Sequence, residues 1–110
     1  MKNFVIAAVS GMVLMLAGQA VAADIEAGKK KAAEVCASCH GIDGNSPAPN
    51  FPKIGGQHRS YLAKALKDYK TGGRSDPIMV GMTAALSAED IENLAFYYSK
   101  QSSGLFSGSK

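Results

Sequence analysis

The chain has 110 residues, which leaves room for one small domain and none for a multidomain enzyme. Twelve basic residues against nine acidic ones give a formal charge of +3, and there are two cysteines and no tryptophan. So small a charge, with no base-reading or phosphate-cradling motif beside it, excludes a nucleic-acid partner.

Taken from the start, Lys2, an apolar run over 4–17 and Ala20-Val21-Ala22 have the order of a secretory signal peptide: positive start, apolar middle, small-residue cleavage site. The run is 14 residues long and contains Ser10 and Gly11, too short and interrupted to span a bilayer. Residues 1–22 are therefore expected to be removed, with cleavage after Ala22 or Ala23. That leaves 88 or 87 residues of charge +2, expected to be exported and without stable membrane insertion. A domain this small buries a modest share of its surface and usually needs a staple, whether disulfide, metal or cofactor.

No segment alternates apolar and polar residues as a half-buried strand would, and three segments have helical period, so the fold is expected to be all-α. The first runs from Asp24, a plausible N-cap, to Cys39. It puts Ile25, Gly28, Ala32, Val35, Cys36 and Cys39 on one face and Lys29, Lys30 and Glu34 on the other. Gly28 on the inner face costs about 1 kcal/mol of helix propensity, which suggests close approach by another helix. The second helix spans Arg59 to Thr71 on a stripe of Tyr61, Leu62, Ala65, Leu66 and Tyr69, and Gly72-Gly73 ends it. The third starts at a Ser87 cap with Glu89 and Asp90 in its first turn, and repeats Ile91, Leu94, Ala95 and Tyr98.

Two long loops are left, 41–56 and 72–86. The first holds Pro47, Pro49 and Pro52, which bias their predecessors to extended backbone. Loops of this length in a small domain usually wrap something functional. The tail over 102–110 is rich in Gly and Ser and is expected to be flexible, with Leu105-Phe106 a small apolar exception. Lys64, Lys67 and Lys70 recur along the second helix, and are expected to form a solvated face rather than a steering surface.

Cys36-Ala37-Ser38-Cys39-His40 is the attachment pattern of c-type haem. Two cysteines three apart on a helix face the same way, so both sulfurs reach the vinyl groups on one porphyrin edge, and the next residue places an imidazole under the iron. A disulfide would leave His40 unexplained. A thioredoxin-like redox site wants a βαβ setting, and a zinc site wants a second ligand pair, neither of which the chain offers. For the sixth iron position the mature chain offers Met79, Met82 and His58. Both methionines sit in a polar, Gly/Pro-marked loop off any helical stripe, which favours a thioether over His58; these residues alone do not choose between them.

Ala27-Gly28, the Cys36–His40 motif, Gly41-Ile42-Asp43-Gly44-Asn45, Pro49-Asn50-Phe51-Pro52, Gly56-Gln57, Tyr61-Leu62, Leu86-Ser87 with Asp90, and Leu94 through Tyr98 together resemble the class I c-type cytochromes. The resemblance covers 24–99 and is to the small bacterial monohaem domains, like one half of the tandem dihaem periplasmic cytochromes c. It implies a cytochrome c fold over 23–101, three main helices and two long loops around one covalent haem c and its iron. It implies that Gly28 packs against Tyr97, and that the Pro49 carbonyl fixes the far nitrogen of His40. The family's methionine ligand precedes the serine cap of the last helix by eight residues, which implies Met79, with Met82 as a second, non-ligating methionine.

The function so implied is that of a monomeric periplasmic one-electron carrier between respiratory redox proteins, not an enzyme. No acid–base pair or nucleophile assembly argues for bond-making chemistry. Two alternatives keep the haem. One is an open sixth site for ligand sensing or peroxide chemistry; the other is service as the electron-entry subunit of a larger oxidoreductase.

Overall fold

The structure is a computed structural model, and it describes Ser10, Gly11 and residues 22–105. The signal-peptide expectation over 1–22 and Phe106 at the chain's end fall outside the described residues, save for Ser10, Gly11 and Ala22. Among the described residues there is no strand, as expected. The helices are α1 (Ile25–Lys31), α2 (Ala37–His40), α3 (Arg59–Thr71), α4 (Pro77–Thr83) and α5 (Ala88–Ser99).

The first expected helix is present but not uniform. Asp24 caps it, its carboxylate accepting from the Glu26 and Ala27 amides at 2.9 and 3.2 Å. Between α1 and α2 the chain runs through a π turn, Ala32–Cys36, in which the Ala37 amide donates to the Ala32 carbonyl five residues back. Such a turn rotates the second helical segment relative to the first, and it is common beside functional sites. Here α1 buries Gly28 against Asn93 and Tyr97 of α5, and Cys36, at the end of the turn, packs against the same core. Gly41, with φ of 82°, ends α2 in a conformation that favours glycine.

α5 is the spine of the domain. Its Ser87 and Asp90 form a reciprocal capping box, each side chain accepting from the other's amide at 3.0 and 2.9 Å. Ile91, Leu94, Ala95, Tyr97 and Tyr98 are buried, and together with Leu62 and Ala63 of α3, Ala32 and Leu86 they make the core. α1 and α3 both pack on α5, and α4 packs on α3. The close approach that Gly28 suggested is there: a Cβ at that position would lie 2.2 Å from the Asn93 main-chain oxygen and 2.9 Å from the Tyr97 Cβ. Buried Asn93 accepts from the Asp24 amide at 2.8 Å, closing the same crossing at the chain's entry.

Two expectations are corrected. Residues 72–86 are not wholly irregular: α4 occupies Pro77–Thr83. Its start is well specified, with Pro77 at the first turn and the Asp76 carboxylate accepting from the Ile78 and Met79 amides at 3.0 and 3.1 Å. It lacked an apolar stripe because Thr83 is its sole buried residue. Nor does the tail start to fray at Ser102. Asn45 donates to the Ser102 carbonyl and accepts from the Gly104 amide, both at 2.8 Å, so the segment just after α5 is strapped to the 41–56 loop.

The lysine stripe on α3 is solvent-exposed, as expected, and its ammonium groups also pair with neighbours. Lys64 pairs with Asp68 one turn on, Lys67 reaches Glu92 of α5 at 3.0 Å, and Lys70 donates to the Leu86 carbonyl. Arg59 completes the α3–α5 seam, lying 4.8 Å from the centre of the Phe96 ring.

Candidate haem-binding site

Two adjoining cavities, of about 270 and 140 Å³, share His40, Pro52, Tyr69 and Met79 in their walls. The larger continues over Cys36, Leu62, Leu66, Leu94, Ala95 and Tyr98, so its wall is mostly apolar and is cut from the core side of α3 and α5. The smaller opens past Cys39, Phe51, Ile78 and Met82. Together they form a slot lined by Cys36, Cys39 and His40 and by Ile78, Met79 and Met82 of α4.

His40 is only 7% exposed, and its Nδ1 lies 2.8 Å from the Pro52 carbonyl oxygen. A carbonyl can only accept, so Nδ1 carries the proton and Nε2 keeps its lone pair, the tautomer a metal requires. The carbonyl expected here was that of Pro49, and this is a correction. The Gly44 carbonyl accepts from both Ile54 and Gly55, at 2.7 and 2.9 Å, and a Cβ at Gly44 would lie 2.5 Å from the Gly55 nitrogen. That closure draws the second half of the loop, Pro52 included, over the imidazole. Pro49 lies exposed on the far side of a turn closed by the Phe51 amide and the Ala48 carbonyl at 3.2 Å.

Other hydroxyls hold the segment after His40. Tyr97 donates to the Ile42 carbonyl at 2.6 Å and Tyr98 to the Gly41 carbonyl at 3.1 Å. Consecutive side chains of α5 thus grip consecutive carbonyls just beyond the motif. Their ordinary place in an apolar stripe gave no sign of this second role, although the Tyr-Tyr doublet carries two hydroxyls that a core must satisfy.

Cys36 and Cys39 are unpaired and half-buried. Burial pushes the Cys36 thiol up to about 11, against a smaller opposing effect from the Tyr98 hydroxyl, so it is a neutral thiol at physiological pH. That is the reverse of the activated thiolate of a redox dithiol. Among the described residues no three His, Cys, Asp or Glu side chains come together to hold a bare metal ion. His58 stands apart from the slot, exposed at the start of α3 in a surface groove with Arg59 and Lys67. Of the two methionines, Met79 lines both cavities, whereas Met82 touches only the smaller and is 46% exposed.

The side chains present fit a covalently attached haem. Two thiols three residues apart, a buried imidazole of the right tautomer directly after them, and Met79 line one mostly apolar slot.

Comparison with known proteins agrees. The family model described as cytochrome c matches residues 25–101. The chain is 49% identical to cytochrome c4 of Stutzerimonas stutzeri over 100 residues, covering 82% of this chain and 47% of that protein. It is 41% identical to the thiosulfate dehydrogenase electron acceptor of Stutzerimonas stutzeri (strain A1501), over 74% of this chain and 41% of that one. The crystal structure of reduced recombinant cytochrome c4 from Pseudomonas stutzeri superimposes with a TM-score of 0.69 at 50% identity, over 74% of this chain and 47% of that chain. The chain spans about half the length of these relatives. It belongs to the cytochrome c family, and with that membership comes covalently bound haem c and its iron.

Proposed function

We propose that this chain is an exported one-electron carrier, with haem c attached through Cys36 and Cys39 and its iron held between His40 and Met79. The observation that carries the reading is the slot itself, which has His40 and Met79 in both of its cavities. Haem c, when bound, supplies reversible one-electron chemistry, and a His/Met pair raises its potential relative to stronger donors. The protein's own residues do the rest. His40 donates through Nδ1 to the Pro52 carbonyl at 2.8 Å, which fixes the ring and raises the basicity of Nε2. Leu62, Leu66 and Leu94 give the slot its apolar wall, and Asn45 ties the 41–56 loop to the residues after α5.

The relative named as an electron acceptor supports electron transfer as the role, and a dehydrogenase is the partner class that name suggests. The mature protein works in the periplasm as a monomer. Among the described residues no helix is long and apolar enough to cross a membrane.

Visible spectra of the purified exported protein test this directly. Oxidised and reduced wild type should show sharp low-spin c-type bands, with the weak red-side band of ferric iron bound to thioether sulfur. Met79→Ala should abolish that red band and Met82→Ala should retain it. A high-spin ferric wild type would replace the carrier with a ligand-binding haem protein, and loss of the band in Met82→Ala alone would exchange the two methionines.

A further inference from the structure

α4, the helix that bears Met79, is held from one side. Thr83 is its sole buried residue, at 0% exposure, while Val80 is exposed and Ile78 and Met82 are exposed along the smaller cavity. Thr83 lies four residues after Met79 and so shares its face. Its hydroxyl donates to the Met79 carbonyl at 2.9 Å, with a longer approach of 3.4 Å to the Val80 carbonyl. Just past the helix, the Lys70 ammonium of α3 donates to the Leu86 carbonyl and reaches the Ala84 carbonyl at 3.5 Å. Ala84 is the C-cap of α4, where a cation is favoured beside the helix end, and Leu86 lies three residues beyond the helix. A helix of seven residues cannot sustain itself in water, so its orientation is set by what grips it.

We infer that Thr83, buried in the core and bonded within α4 to the Met79 carbonyl, and Lys70, which ties the residues after α4 to α3, form a two-point clamp that positions Met79 for the sixth iron position. The inference rests on the reading of Met79 as the axial ligand. The clamp sets the balance between Met79 engaged and Met79 swung away. Any added ligand competes only with the second population, so its apparent affinity reports that balance. Removing one hydrogen bond to a sequestered carbonyl shifts such a balance by about two- to tenfold.

The test is imidazole titration of the ferric holoprotein, monitored by loss of the red-side band. Thr83→Val keeps the shape and removes the hydroxyl; Lys70→Leu keeps an apolar stem and removes the ammonium. Each should bind imidazole about two- to tenfold tighter than wild type. Thr83→Ser should return to the wild-type value. Ser87→Ala removes the cap of α5 at a comparable cost in stability and should leave the affinity unchanged. Wild-type affinity in both clamp variants overturns the clamp, and so does an equal gain in Ser87→Ala, which would mark a general stability effect. Met79→Ala separates the two readings. A large gain there with none in the clamp variants sinks only the clamp, whereas an unchanged affinity in Met79→Ala sinks the axial assignment itself. Should Thr83→Val fail to fold, Lys70→Leu at an exposed side chain decides the matter.

Discussion

Replacing Gly28 by alanine sets two physical effects against each other with opposite signs. By helix propensity alone the substitution stabilises, because alanine is favoured over glycine by about 1 kcal/mol in a helix interior. By packing it destabilises. The added methyl would sit 2.2 Å from the Asn93 main-chain oxygen, 2.7 Å from its carbon and 2.9 Å from the Tyr97 Cβ. These are backbone and inner side-chain atoms of α5, flanked by fully buried Ile91 and Leu94, so none can swing aside. α1 must instead move outward by roughly 1 Å, since ordinary carbon–oxygen contacts begin above 3 Å. Overpacking of this kind costs about 1–3 kcal/mol. The same movement stretches the 2.8 Å bond from the Asp24 amide to Asn93, a further loss of about 1 kcal/mol. Against the propensity gain, the net expectation is a loss of about 1–3 kcal/mol, or about 5–20 °C in Tm for a domain of this size. Thermal and denaturant unfolding of the holoprotein, read in parallel by far-ultraviolet circular dichroism and by the visible bands, measures it. The midpoint should fall with little change in m, as for a pure stability effect. A Tm equal to or above wild type would refute the reasoning, because it would show that propensity outweighs the crossing.

Two further outcomes are expected from hydrogen bonds that link distant segments. Tyr98→Phe removes the 3.1 Å bond to the Gly41 carbonyl and should cost about 1–2 kcal/mol at neutral pH. It should also flatten the alkaline limb of the stability profile. Burial holds the Tyr98 phenol above its ordinary 10.0 in the folded protein, so stability is intact below about pH 10 and declines above it as the unfolded chain ionises first. An unchanged alkaline slope in the variant would contradict that source. Asn45→Ala breaks both 2.8 Å bonds to Ser102 and Gly104; amide exchange at Gly104 should accelerate while that of α5 stays slow. Equal protection at Gly104 in the variant and wild type would mean that the strap does not hold the segment.

What could be read from the chain without its fold was local. The attachment pattern from Cys36 to His40, the Asp24 and Ser87 caps and the span Arg59–Thr71 rest on residues within a turn or two of each other. For such features the sequence contains both partners of every interaction. The reading failed where one partner was remote or not a residue at all. α4 showed no apolar stripe because Thr83 alone enters the core while Met79 faces a cofactor slot, and periodicity registers only contacts among side chains. Pro49 and Pro52 are equivalent by local chemistry. The closure of Gly44 on Gly55 decided which carbonyl meets His40, and it also places the loop that Asn45 ties to the residues after α5. The lysines of α3 were a charge pattern until Glu92 and the Leu86 carbonyl came beside them. Composition and spacing by themselves determined that this chain would wrap a covalent haem in helices. Tertiary structure decided which carbonyl meets the imidazole, that Met79 sits on a short helix lining the slot, and which segments tie the loops together, because each depends on groups brought together only by the folded backbone.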